Sequence, residues 1–279
     1  MKLGVIGAGN MGGAIIRGYA AALQATGEGK DVAARAEILV FDTDEAKTAA
    51  LSTLANVYAA RDLQELADGA EIIIIAVKPG AFDTLTPQIA DCVKWSDSAM
   101  QPVFVSIAAG ISIGYLRGVF GQESAIIRVM PNTPAMVGAG MTAIARGANV
   151  PDDAYAEVCR IFESFGEVAA VDDSQMDAVT GISGSSPAYA YMYMQALIEC
   201  GVENGLNEAE AKLLAAQATL GAAKMVLEGG DDPEQLRINV CSPGGTTIEA
   251  VRVLEEQGFM DTVKAAMNAA AAKSKQMTR

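Results

Sequence analysis

The chain has 279 residues, 51% hydrophobic and 19% charged, with a formal net charge of −14. That balance gives enough apolar sequence for one large domain or two modest ones. It excludes disorder, and it argues against nucleic acid or an anionic membrane surface as the main partner. There is no histidine, so Ser-His-Asp triads and the usual zinc sites are excluded and no metal is expected.

Taken in chain order, short apolar runs alternate with helical stretches. Strands are expected at 2–7, 37–42, 71–77, 102–107 and 125–130, with helices at 12–23, 44–55, 81–93 and 112–120. The runs Ile72-Ile73-Ile74-Ile75 and Val103-Phe104-Val105 suit strands buried on both faces of a parallel sheet. Short strands at 141–146 and 168–171 flank a helix at 152–165. The alternation reads as a doubly wound α/β domain.

After about residue 172 the strand signals stop. Helices are expected at 174–182, 187–203, 207–227, 233–240, 246–257 and 259–277. Pro187 follows Ser185-Ser186, and Asn207 precedes Glu208 and Glu210, which is helix-entry chemistry. Leu213, Leu214, Leu220, Val226 and Leu227 make the helix at 207–227 more apolar than one surface helix needs. We expect it to be buried against a second subunit, an intrachain core being the alternative. The expected domains are 1–170 and 171–279, with a soft boundary.

Cys92, Cys159, Cys200 and Cys241 are widely spaced and read as free thiols rather than a disulfide framework. No run reaches the roughly 18 apolar residues of a membrane span. A strand pattern from Leu3 leaves no space for a signal peptide, so a reduced, cytoplasmic protein is expected.

Gly7-Ala8-Gly9-Asn10-Met11-Gly12 is a GxGxxG between a strand and a helix. Its glycines permit a tight turn, backbone approach to a pyrophosphate and close helix packing. The helix start offers N–H groups and a positive dipole end to phosphate. Asp42 ends the second strand 30 positions after Gly12, where about 20 is usual. The Gly27-Glu28-Gly29-Lys30 stretch would be an enlarged intervening loop. Asp42 either reads a ribose 2′-hydroxyl, which would favour NADH over NADPH, or caps the next helix. Ala76-Val77-Lys78-Pro79 and Ile107-Ala108-Ala109 follow later strands, at the carboxyl ends where ligands bind in open α/β sheets. Each is also compatible with a plain loop.

Three further segments stand out: Met130-Pro131-Asn132-Thr133-Pro134-Ala135, Ser183-Gly184-Ser185-Ser186-Pro187-Ala188-Tyr189, and Cys241-Ser242-Pro243-Gly244-Gly245-Thr246-Thr247. The last opens a helix. Backbone N–H groups near Gly244 and Gly245, with the hydroxyls of Ser242, Thr246 and Thr247, could cradle a small carboxylate. Ordinary N-capping is the alternative.

The sequence resembles the pyrroline-5-carboxylate reductases. The resemblance runs over essentially the whole chain, on GAGNMG at 7–12, AVKPG at 76–80, SIAAGI at 106–111, RVMPNTPA at 128–135, GISGSSPAY at 181–189 and CSPGGTTIEAVRVLE at 241–255. It implies an N-terminal Rossmann-type doubly wound sheet and an all-helical dimerisation domain. The implied reaction is reduction of (S)-1-pyrroline-5-carboxylate to L-proline with NADPH or NADH, by a homodimer that in many members assembles into a decamer of five dimers. By position, Thr247 matches the hydroxyl that meets the substrate ring nitrogen. Ser242, Gly244, Gly245 and Thr246 match the carboxylate loop. Ile6, Gly7, Ala8, Gly9, Asn10, Met11, Gly12, Asp42, Ala76, Val77, Lys78, Pro79, Ile107, Ala108, Ala109 and Asn239 are the expected cofactor contacts. The family usually prefers NADPH and often places a short hydroxyl or basic residue near the 2′-phosphate. This chain has Asp42 and Asp44 there, a departure that points toward NADH.

Reducing a cyclic imine requires a hydride to carbon and a proton to a basic nitrogen, so a hydroxyl suffices and a histidine is dispensable. Competing readings are a related imine or 3-hydroxy acid oxidoreductase and a non-catalytic NAD(P) sensor. The hydroxy acid enzymes usually carry a catalytic lysine on the helix after the cofactor domain, and residues 189–200 contain none. A sensor leaves the carboxylate cradle unexplained.

Overall fold

The structure, a computed structural model, describes residues 1–25, 36–94 and 101–279. The Gly27-Glu28-Gly29-Lys30 loop expectation lies outside the described residues. The chain divides into two compact units, one of residues 1–184 with 270–279, the other of residues 185–269.

The first unit is built on a sheet of eight strands: β1 (Lys2–Ile6), β2 (Glu37–Phe41), β3 (Val57–Ala59), β4 (Ile72–Ile75), β5 (Val103–Ser106), β6 (Ile126–Met130), β7 (Gly140–Arg146) and β8 (Gly166–Ala170). The order is β3-β2-β1-β4-β5-β6-β7-β8. All neighbours pair in parallel except β6 with β7. Alternation explains the apolar runs. Ile72 and Ile74 pack on one side of the sheet with Ile15, Ile16 and Phe162. Ile73 and Ile75 pack on the other with Leu66, Phe82 and Leu116. All four isoleucines are buried, as a strand covered on both faces requires.

The helices of this unit are α1 (Asn10–Ala25), α2 (Glu45–Leu51), α3 (Leu63–Ala67), α4 (Phe82–Lys94), α5 (Ile113–Phe120), α6 (Asp152–Glu163) and α7 (Met176–Val179). Two expectations change. The helix expected over 44–55 stops at Leu51, because Ser52 caps it and Asn56 turns the chain with φ +63°. The helix expected over 174–182 is three pieces: a 3₁₀ turn at Asp173–Gln175, α7, and a π-helix at Thr180–Gly184.

The second unit is helical: α8 (Ser186–Glu203), α9 (Glu208–Glu228), α10 (Pro233–Val240), α11 (Thr246–Glu256) and the start of α12 (Phe259–Met277). A reciprocal capping box starts α9: the Asn207 side chain accepts from Glu210 N, and the Glu210 carboxylate accepts from Asn207 N.

Candidate active site

The sheet reverses its winding between β1 and β4, the neighbours that lie on either side of the switch point. Ligand sites in open α/β sheets form at the carboxyl ends of strands there. Gly7 N donates to Phe41 O at 2.8 Å, and Ala76 N donates to Ile6 O at 2.7 Å. The ends of β1, β2 and β4 are thereby laced together. Ile107 N donates to Ile75 O at 3.3 Å, adding the end of β5. Ile6 to Gly12, Asp42, Ala76 to Pro79 and Ile107 to Ala109 thus share one edge of one sheet.

Within the glycine loop the first helical hydrogen bond is Gly13 N to Gly9 O, 2.8 Å. The amides of Asn10, Met11 and Gly12 precede it and have no intrahelical acceptor. A Cβ on Gly12 would stand 2.0 Å from Gly7 O, so no larger residue allows the helix to start this close to the strand. A Cβ on Gly9 would meet nothing within 4 Å. The loop is therefore tight on its inner side and open where a pyrophosphate would approach. These residues fit a dinucleotide.

Asp42 does not cap α2; Asp44 does, accepting from Ala46 N at 3.2 Å. Asp42 instead accepts from Ala8 N at 2.7 Å and from Asp44 N at 2.9 Å. It braces the glycine loop, and each carboxylate oxygen keeps a further lone pair for a ribose hydroxyl. The sequence gives no sign of the Ala8 bond. Nearby, the Lys47 ammonium pairs with Asp44 at 3.1 Å. That hydrogen bond holds the Asp44 carboxyl below the usual carboxylate range and the Lys47 ammonium above its usual value. The cation closest in sequence to the ribose edge is thus already engaged. Lys78 is exposed.

The Met130–Ala135 and Ser183–Tyr189 segments also meet in part. Asn132, 9% exposed, accepts from Met141 N at 2.9 Å and donates through Nδ2 to Ser183 O at 3.3 Å. It thereby ties the turn after β6 to the π-helix. Arg128, 4% exposed, pairs with Asp173 at 3.0 Å. Sequence reasoning assigned neither residue a role.

In the second unit, Ser242 to Thr247 link α10 to α11. Gly245 N donates to Ser242 O at 3.0 Å, closing a turn in which Gly244 has φ +72°. Gly245 is the N-cap of α11, and no side chain caps it. The ordinary capping alternative is therefore not what the segment does. Its first turn has no side-chain cap, a setting that favours an anion. The first-turn acid, Glu249, is occupied by Arg252 at 3.2 Å. Thr247 is half-buried at the second position of the helix. Asn239, exposed on α10, accepts from Gln235 Nε2 at 2.8 Å.

A sheet with a dinucleotide-fitting loop at its switch point, followed by a helical unit, defines a Rossmann-type oxidoreductase architecture. Comparison with known proteins narrows the class. The family model for pyrroline-5-carboxylate reductase dimerisation matches residues 173–277, and the model for coenzyme F420-dependent NADP oxidoreductase matches residues 2–110. The chain is 43% identical over 278 residues to pyrroline-5-carboxylate reductase of Escherichia coli strain K12, covering 100% of this chain and 98% of that protein. Among solved structures it resembles the Coxiella burnetii pyrroline-5-carboxylate reductase (TM-score 0.87, 31% identity, 99% and 98% coverage). It also resembles the Plasmodium falciparum pyrroline carboxylate reductase with NADP bound (TM-score 0.83, 31% identity, 100% and 98% coverage). The chain belongs to the pyrroline-5-carboxylate reductase family.

Proposed function

We infer that this chain reduces (S)-1-pyrroline-5-carboxylate to L-proline by hydride transfer from NAD(P)H, the last step of proline synthesis. The observation that carries the reading is the uncapped, glycine-turned start of α11 with Thr247 in its first turn. It sits in a chain whose full length matches the family.

The cofactor, when bound, supplies the hydride. Backbone amides from Gly9 to Gly12 hold the pyrophosphate, with the partial positive charge of the α1 terminus behind them. Ile6, Ala76, Val77, Lys78, Pro79, Ile107, Ala108 and Ala109 shape the surrounding edge, and by family resemblance Asn239 serves the cofactor of the partner subunit. The amides of Gly244, Gly245 and Thr246, with the Ser242 hydroxyl, hold the substrate carboxylate and so fix the ring. The Thr247 hydroxyl hydrogen-bonds the imine nitrogen and relays a proton from water to it as the ring carbon accepts the hydride. Orientation is the chain's main contribution, which suits a site with no imidazole.

The nucleotide-binding domain spans 1–170 and the helical domain 171–279. The helical domain forms a homodimer, and five dimers build a decamer in the cytoplasm. The exposure of Leu213, Leu214, Leu220 and Leu227 supports the dimer, since each is more than half exposed in one chain and stable surfaces rarely show so much apolar area. Asp42 and the paired Lys47 support a preference for NADH.

The test is loss of NADH or NADPH absorbance on adding pyrroline-5-carboxylate, with a 3-hydroxy acid and the oxidised cofactor as control. Oxidation with the imine is expected. Turnover of the hydroxy acid alone would assign the chain to the other reaction.

A further inference from the structure

We propose that residues 274–279 form a brace that positions two of the cofactor segments, 76–79 and 107–109, and that Arg279 is its main positioning residue. The proposal rests on reading those segments as cofactor contacts.

The segment after β5 holds itself weakly. Its own hydrogen bonds are long: Ile107 N to Ile75 O at 3.3 Å, Ala108 N to Ser106 Oγ at 3.3 Å, and Ile111 N to Ala108 O at 3.4 Å. These lie at or beyond the far end of the usual N–H···O range. The bond from Arg279 N to Gly110 O, at 3.0 Å, is shorter than any of them. The Ser112 hydroxyl donates to the Arg279 main-chain oxygen, so the brace holds Gly110 and Ser112. The grip is close. Gly110 has φ +74°, and a Cβ there would stand 2.8 Å from Met277 O.

The same residue reaches the helix that follows the other segment. The Arg279 guanidinium pairs with Asp83, in the first turn of α4, which follows Pro79 by a single 3₁₀ turn. Tyr115 OH donates to the other Asp83 oxygen at 2.8 Å. The Tyr115 hydroxyl, and then Arg279, hold the Asp83 carboxyl below the usual carboxylate range.

The base of the brace is fixed. Ser274, 4% exposed, donates to Asp177 Oδ1 at 2.6 Å, and Thr278 Oγ1 donates to the same oxygen at 3.2 Å. An anchored end, with a tip bonded to Gly110 and Ser112 just after one segment and to Asp83 four residues after the other, lets one stretch of chain bear on the spacing of both. A pre-set edge binds its ligand without a further ordering cost.

Three variants test this by fluorescence titration of NADH and NADPH, without turnover, and by steady-state kinetics. Arg279→Pro removes both the amide donor and the guanidinium. Arg279→Ala removes only the guanidinium. Ala109→Phe obstructs the segment itself. For Arg279→Pro, Kd and KM for the cofactor should rise about threefold to tenfold, the range for losing about one net hydrogen bond. The KM for pyrroline-5-carboxylate, and kcat at saturating cofactor, should stay within about twofold. Arg279→Ala should show a smaller rise in the same direction. A purely structural clasp would lower thermal stability and active fraction but leave cofactor Kd unchanged. If cofactor Kd is unchanged in both Arg279 variants while Ala109→Phe raises it, the brace is wrong and the cofactor reading stands. If Ala109→Phe also leaves Kd unchanged, the reading of 107–109 fails and takes the brace with it. Should Arg279→Pro not fold, Arg279→Ala decides alone.

Discussion

The two units solve different problems with the same device, a helix start with unpaired amides. In the first unit the glycine loop is held from outside. Asp42 grips Ala8, Phe41 O takes Gly7 N, and Ile6 O takes Ala76 N. In the second, the turn at Gly244 and Gly245 is held by a bond within itself, from Gly245 N to Ser242 O. Burial differs in the same sense. β1, β4 and β5 lie in a dry core, whereas α9 buries only Ala211 and Ala215. A loop braced by a sheet suits a large ligand that must be gripped along its length. A self-contained turn on an exposed helix suits a small anion, and its rigidity must come from whatever covers that surface.

The sharpest break between the two devices is Thr247→Ala. It should lower kcat about a hundredfold, the low end for a positioned proton-transfer group, with cofactor Kd unchanged. Equal turnover in stopped-flow assays would remove Thr247 from the chemistry. Gly12→Ala should do the converse, because its Cβ would collide with Gly7 O. Overpacking of this kind weakens cofactor binding by roughly thirtyfold, and calorimetric titration showing wild-type affinity would contradict it. Leu214→Asp with Leu227→Asp should shift the sedimentation equilibrium toward monomer by about tenfold or more per leucine, since each buried leucine contributes about 1.5–3 kcal/mol. A dimer of undiminished strength would place the interface elsewhere. The smallest effect is Asp44→Ser, which frees Lys47 and removes one charge. The ratio of kcat/KM for NADPH over NADH should rise about fivefold, in line with about 1 kcal/mol for a solvated pair of charges. A ratio unmoved or falling would show that Lys47 does not face the 2′ position.

The strands that carry the cofactor edge were legible because burial on both faces leaves no polar alternation to misread. Ile72 to Ile75 is the plainest case. β3 was not legible: three residues, with Tyr58 52% exposed, carry no periodic signal. The antiparallel sense of β7 was equally hidden, since pairing direction leaves no mark on a short strand. In the site, GxGxxG announces itself through spacing, but the carboxylate cradle does not. Its residues stood out by composition, but their physics reads equally as a helix cap, and the family likeness is what favoured the cradle. Asp42 was expected to meet a ribose, and its bond to Ala8 was not foreseen, because a bond to a residue 34 positions away has no local signature. The same holds for Arg279 and Gly110.

The Asp42–Ala8 bond has a consequence for how the first unit breathes. Ala8 lies past the end of β1 and ahead of the first residue of α1, so neither ladder protects its amide proton. The proton exchanges with solvent only when the Asp42 carboxylate releases it. Exchange at Ala8 therefore reads out loss of the Asp42 contact to the glycine loop. A ligand that binds only the closed loop slows this exchange in proportion to its occupancy. The Ala8 amide is thus a single-proton gauge of whether the nucleotide edge is assembled.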